Sequence, residues 1–188
     1  MEAFLVSLLS VATAEVGDRT QLLSLMLAAR YRRPWPILAG VLLATLANHA
    51  AAGLLGRGFG RLLTPSRVEL IVGVGMIAMA AWALIPDKLD EKSGSTSNFG
   101  PFLTTLGAFF VAEIGDKTQI ATVALAAAYP NLLAVVGGTT CGMLLANAPV
   151  VFLGSAFAHR LPVKAIHLVS SALFIIIGAI FIIRAVRP

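Results

Sequence analysis

One polar heptapeptide occurs twice inside otherwise apolar sequence: E-V-G-D-R-T-Q from Glu15 to Gln21, and E-I-G-D-K-T-Q from Glu113 to Gln119. The copies lie about half the chain apart. A charged side chain within a bilayer-length apolar segment is expensive and is usually retained for function. Each copy carries two carboxylates and one cation. The duplication restricts the chain to two similar halves, and the doubled acids point to a membrane protein whose halves jointly hold a cation.

The rest of the composition agrees. Of 188 residues only 12% are charged and 58% are hydrophobic, with a mean hydropathy of +0.89; a soluble domain carries about 25% charged residues. The net charge is +5, but Arg30, Arg32, Arg33, Arg57, Arg61, Arg67, Arg160, Lys164, Arg184 and Arg187 fall at the ends of apolar runs. They read as interfacial anchors and topology signals, and no nucleic-acid partner is expected. Cys141 is the only cysteine, which excludes an intrachain disulfide or a thiolate cluster. Its small-residue run, Gly137 to Gly142, suggests a packing role. The N-terminus has no basic stretch before its first apolar run, so a cleaved leader is not expected.

About 20 apolar residues cross a bilayer as a helix. Six segments reach that length: 3–29, 35–55, 68–85, 102–128, 132–157 and 165–183. Prolines or charge clusters separate them, at Arg32-Arg33-Pro34, from Arg57 to Pro65, at Tyr129-Pro130-Asn131 and from Arg160 to Lys164. The expected fold is an all-α polytopic membrane protein of six transmembrane helices. Residues 1–86 form one three-helix repeat and 102–188 the second. The hydrophilic segment 87–101, charged and then Gly/Ser-rich, reads as a mobile linker.

The likeness of the halves extends past the heptapeptide. Phe4 matches Phe102, Leu46-Ala47-Asn48 is echoed by Leu145-Ala146-Asn147 one residue out of step, Gly56 matches Gly154 and Pro65 matches Pro162. Three helices per unit bring the second copy in from the opposite side, an inverted repeat of the kind that places a transporter's site between its halves. Seven Lys/Arg in the loops on the linker's side against five on the other favour a cytoplasmic linker, outside termini and an inner-membrane location.

On a continuous helix Glu15 and Asp18 are i,i+3 neighbours on one face. Gly17 beside them allows close approach of an ion or another helix, or local unwinding. Gln21 offers an amide oxygen, while Thr20 points elsewhere and is expected to bond its own helix backbone. The same geometry applies to Glu113, Gly115, Asp116, Thr118 and Gln119. If the motif helices meet, four carboxylates and two amides converge. An oxygen-only, carboxylate-rich site suits a hard divalent cation such as Mn²⁺, Ca²⁺ or Mg²⁺. His49 is the one histidine placed to ligate. It has no counterpart in the second half, where Ala148 stands, and a hydrogen-bonded packing role is expected for it; His159 and His167 lie near segment ends.

Charge balance points the same way. Arg19 and Lys117 offset two of the four acids, leaving a surplus of two negative charges that one divalent cation would neutralise. Arg19 is four residues from Glu15, which predicts an intrahelical ion pair that loosens when metal enters. Asn48 and Asn147 are candidates for supporting hydrogen bonds between helices. Clustered carboxylates in low dielectric repel one another and resist ionisation together, so metal entry is expected to expel protons. Glu15 and Glu113, with the longer side chains, are the preferred proton carriers.

A six-helix chain with E-x-G-D-[KR]-T in the first helix of each half resembles the cation transporters that include the Golgi calcium/manganese transporter and bacterial manganese exporters. The resemblance covers essentially the whole chain. It implies transport of Mn²⁺ and/or Ca²⁺ in exchange for protons, with Glu15, Asp18, Glu113 and Asp116 as ligands and Gln21 and Gln119 in support. It implies no prosthetic group, the only bound species being the cargo cation and protons. The chain lacks the long N-terminal extension of eukaryotic members and reads as bacterial. Two other classes compete. A small amino-acid exporter would need a site for an ammonium and a carboxylate together, which four converging acids do not offer. An intramembrane aspartyl protease resembles G-x-G-D with a partner Tyr-Asp, but Glu15 and Glu113 replace the first glycine and no Tyr-Asp occurs. The chain is not expected to be an enzyme.

Overall fold

In a computed structural model, residues 1–85, 99–154 and 162–187 are described, and among them there is no strand. They form eight helices: α1 (Glu2–Glu15), α2 (Arg19–Tyr31), α3 (Pro34–Leu62), α4 (Pro65–Ala83), α5 (Pro101–Glu113), α6 (Lys117–Ala128), α7 (Leu132–Leu153) and α8 (Val163–Val186). The linker expected at 87–101 lies almost wholly outside the described residues, as do His159 and Arg160. Prolines open α3, α4 and α5 in the first turn, where the missing N–H costs nothing. Arg32, at φ 50°, ends α2 and donates its N–H to Ala28 O.

Two expectations need correction. The segments 3–29 and 102–128 are not continuous helices; each breaks inside its own heptapeptide, giving α1–α2 and α5–α6. The charged stretch from Arg57 to Pro65 is not a loop either, because α3 runs to Leu62 and Pro65 starts α4. Four helices are individually long and apolar enough to cross a membrane: 34–62, 65–83, 132–153 and 164–186. At about 1.5 Å per residue, α1 with 14 residues and α5 with 13 each reach only part way. Neither is long enough to cross a bilayer without its partner half-helix.

The burial pattern is inverted relative to a water-soluble protein. Leu42, Leu43, Leu46, Leu54, Ile71, Val74, Ile175, Ile176 and Ile180 are exposed, while Ser7, Ser10, Glu15, Asp18, Lys117, Glu113 and Asn147 are buried. An apolar perimeter of this extent needs lipid to cover it. Arg30, Arg32, Arg33, Arg57, Arg61, Arg67, Arg184 and Arg187 are exposed at helix ends, as interfacial anchors should be. Cys141 is also exposed, so it faces the perimeter instead of packing between helices.

The two broken helices run in opposite directions. At the start of α1, Glu2 Oε1 accepts a bond from Tyr129 Oη at the end of α6 (3.1 Å) and meets Arg184 near the end of α8 (3.5 Å). At the far end, Tyr31 Oη donates to Thr104 Oγ1 at the start of α5 (3.1 Å). The long helix of each half packs on the other half's broken helix, α3 along α5 and α6, and α7 along α1. The last helices, α4 and α8, pair with each other. Gly73 and Gly178 make that crossing possible, since a Cβ on Gly73 would lie 2.8 Å from Gly178 O and one on Gly178 2.7 Å from Gly73 O. Apolar clusters sit to either side: Val72, Met76, Phe174 and Phe181 in one, and Leu23, Ile37, Val41, Phe109 and Met143 in the other. The two heptapeptides meet between them.

Candidate cation site

The heptapeptide encodes a type II turn between two half-helices. Val16 has φ −69° and ψ 122°, Gly17 has φ 82°, and Asp18 N–H donates to Glu15 O at 3.1 Å. The second copy repeats this, with Ile114 at φ −64° and ψ 120°, Gly115 at φ 73°, and Asp116 N–H on Glu113 O at 3.1 Å. A positive φ at the third turn position calls for glycine. Glu15 and Glu113 therefore end their helices, and Asp18 and Asp116 stand at the N-caps of α2 and α6. Those helix N-termini favour negative charge.

Each glutamine closes its turn. Gln21 Oε1 accepts from Gly17 N–H (2.9 Å) and Gln119 Oε1 from Gly115 N–H (2.8 Å). Gln21 also donates through Nε2 to Ala146 O on α7 at 2.8 Å. The amide oxygens expected to support the ion each accept one backbone N–H. Thr20 departs from expectation as well: with the helix broken, its hydroxyl donates to Glu15 Oε2 instead of to its own helix. Thr118 donates to Asp116 Oδ2 through both its hydroxyl (3.1 Å) and its N–H (3.4 Å).

The ion pairs run between the motifs. Arg19 Nη2 lies 3.0 Å from Asp116 Oδ1, and Lys117 Nζ lies 3.1 Å from Asp18 Oδ1. The intrahelical Arg19–Glu15 pair expected from the spacing is replaced, because the turn removes the i,i+4 register between them. Carboxylate oxygens of Glu15, Asp18 and Asp116 all lie within 4.8 Å of one another, and all three residues are buried. Glu15 Oε1 has no hydrogen-bond partner among the described residues.

Glu113 is not part of that group. Thr45 Oγ1 donates to its Oε1, and Asn48 Nδ2 reaches its Oε2 at 3.3 Å while also bonding Phe110 O at 3.0 Å. Asn48 thus makes the expected bond between helices. Asn147 also bonds between helices, but not to a carboxylate: its Oδ1 accepts from Ser24 Oγ on α2 (2.7 Å), and its Nδ2 donates to Met143 O in its own helix (3.0 Å). His49 is fully buried, and among the described residues neither ring nitrogen is hydrogen-bonded, against the hydrogen-bonded role expected of it. Three buried acids facing two cations across two helix N-termini can hold a cation; no nucleophile–base pair is formed by these groups.

The family model described as the divalent cation/proton antiporter GDT1 matches residues 3–91 and 101–188. The chain belongs to the GDT1 family. It is 51% identical over 179 residues to the "Putative manganese exporter" of Vibrio cholerae serotype O1, covering 95% of this chain and 89% of that protein. It is 29% identical over 202 residues to a GDT1-like protein of Synechocystis, covering 96% of each. It is 27% identical over 216 residues to GDT1-like protein 5 of Arabidopsis thaliana, covering 95% of this chain and 94% of that one. No solved structure matches the chain. As a GDT1 member the chain is a multi-pass membrane protein of a cation-transporting family and not an enzyme.

Sequence reasoning missed Thr45 and Ser24, it paired Arg19 with the wrong acid, and it gave Lys117 no partner. Thr45 lies one turn before Asn48 on the same face of α3, and that spacing was its only signal. Ser24 lies one turn beyond Gln21 on α2, a helix whose start was not visible while 3–29 read as one span. The crosswise pairs had no signal beyond the breakable helix that Gly17 and Gly115 allow.

Proposed function

We propose that this GDT1 member is a secondary transporter that exchanges Mn²⁺ or Ca²⁺ for protons by alternating access at one site built from both heptapeptides. The observation that supports this most directly is the crosswise pairing of Asp18 with Lys117 and Asp116 with Arg19, beside Glu15. The two side-chain cations occupy the acids that an ion would need. A divalent cation entering between Asp18 and Asp116 displaces Lys117 and Arg19, and Glu15 offers a further oxygen. Glu113, held by Thr45 and Asn48, completes the acidic set when α3 shifts. Gln21 and Gln119 hold the turns in shape, with Thr20 and Thr118 orienting the acids beside them. Carboxylates must be ionised to bind metal, so protons leave as the ion enters and return as it departs. Glu15 and Glu113 are the proton carriers in this scheme.

Six membrane crossings, with residues 1–86 and 102–188 as inverted repeats around the 87–101 linker, give the site access to each side in turn. The membrane is the cell inner membrane, with the linker cytoplasmic. The manganese in the name of the Vibrio cholerae relative favours Mn²⁺ as the cargo here. Reconstituted vesicles holding a pH dye test the exchange. Mn²⁺ or Ca²⁺ movement should drive protons the opposite way and should quicken under an imposed pH gradient. Metal flux that moves no protons and ignores the gradient, with membrane potential clamped, would make the protein a uniporter.

A further inference from the structure

Buried polar atoms are nearly always hydrogen-bonded, so an unpartnered one calls for a physical reason. Among the described residues His49 on α3 is completely buried with both ring nitrogens unpartnered, and Thr140 Oγ1 on α7 is buried and unpartnered as well. The register of the two helices sets them at facing positions. A Cβ on Gly53 would lie 3.0 Å from the Val136 side chain. Because α3 and α7 run in opposite directions, the residue one turn before Gly53 faces the residue one turn after Val136. Those residues are His49 and Thr140. Thr45, one turn before His49 on the same face of α3, and Asn48, its immediate neighbour in sequence, bond Glu113, the acid that stands apart from the other three.

We infer that His49, Thr140 and Glu113 form a second coordination station for a transition-metal divalent cation, next to the three-carboxylate cluster. This rests on the cation-transport reading and deepens it by naming the class of cargo. An imidazole nitrogen accepts transition-metal ions, whereas Ca²⁺ and Mg²⁺ take oxygen ligands. The three-acid cluster offers only oxygens and accepts either class. The adjoining station adds the one nitrogen donor and so selects between them as the ion passes. Ala148 stands where a symmetric counterpart of His49 would be, so the selecting step exists on one side of the site only.

Pulsed electron paramagnetic resonance on the purified protein with up to two equivalents of Mn²⁺ reads the ligation directly. The unaltered protein should show ¹⁴N modulation from a bound imidazole. His49→Gln should abolish that modulation while still binding Mn²⁺ at the carboxylates. The ratio of Mn²⁺ to Ca²⁺ affinity should fall by about tenfold or more, and Thr140→Val should lower it in the same direction by less. Mn²⁺ bound with no ¹⁴N coupling, a coupling that survives His49→Gln, or an unchanged Mn²⁺/Ca²⁺ ratio would each overturn the station. The wild-type spectrum decides the matter even if His49→Gln fails to fold. Vesicles that carry no cation at all would instead count against the transport reading, while the binding spectra would still judge the station.

Discussion

The two heptapeptides share one backbone and stand in different surroundings. Both form the same glycine turn with the same glutamine closure. In the second copy the glutamate is held by two side chains of α3, and the aspartate caps α6 by accepting from Thr118 N–H. In the first, Glu15 has one unpartnered oxygen and Asp18 makes no cap bond. The cations differ as well: the Lys117 side chain is 2% exposed and that of Arg19 36%. Local sequence thus sets the turn, and the packing of α3 against α5 and α6 sets which copy is engaged. A transporter that alternates would exchange these two environments between its halves.

The largest effect expected is on transport itself. If the two copies are parts of one site, Glu15→Gln, Asp18→Asn, Glu113→Gln and Asp116→Asn should each reduce vesicle Mn²⁺ flux to background despite their different surroundings. Flux that survives the loss of one copy would separate the halves functionally.

The next contrast is in stability. Lys117→Met breaks the buried ion pair with Asp18 and should cost about 3–5 kcal/mol, as breaking a buried pair does. Arg19→Met leaves Asp116 still bonded to Thr118 and removes a partly exposed partner, for about 1 kcal/mol or less. Denaturant unfolding of the purified variants measures both. Adding Asp18→Asn to Lys117→Met should recover stability and leave transport absent. Equal costs for the two cations would erase the difference between the copies.

Where the copies are alike, the effects should match. Gly17→Ala and Gly115→Ala each force a side chain into the left-handed region, at about 1–2 kcal/mol. Unequal costs, read from the same unfolding transitions, would mean that the turns are not equivalent. The smallest effect is expected at the hydroxyls. Thr45→Val should cost about 1 kcal/mol and release Glu113, with faster exchange of its side chain seen by NMR of labelled glutamate. No change in the Glu113 signal would remove Thr45 as its anchor.

Much of this was legible in the sequence, for identifiable reasons. The apolar lengths, the prolines at 34, 65 and 101 and the terminal arginines located the helices, because membrane helices must be long and must end in polar residues. Glu15, Asp18 and Asp116, which the fold brings together, stood out in the sequence because burying charge in an apolar segment is costly. The helix breaks were only half legible: Gly17 and Gly115 permit a turn, but a glycine also fits a continuous helix at modest cost. The partners of Arg19 and Lys117 were hidden because the i,i+4 rule assumes a helix that the turn interrupts. His49 was singled out by its residue type, yet its lack of partners depends on what α7 places opposite it.

Anomalous diffraction from crystals soaked in Mn²⁺ tests the shared site most directly. A shared site predicts a principal manganese peak between the carboxylates of Asp18 and Asp116, within reach of Glu15, with Lys117 and Arg19 withdrawn. Two peaks of equal strength, one confined to each heptapeptide and sharing no ligand, would contradict it.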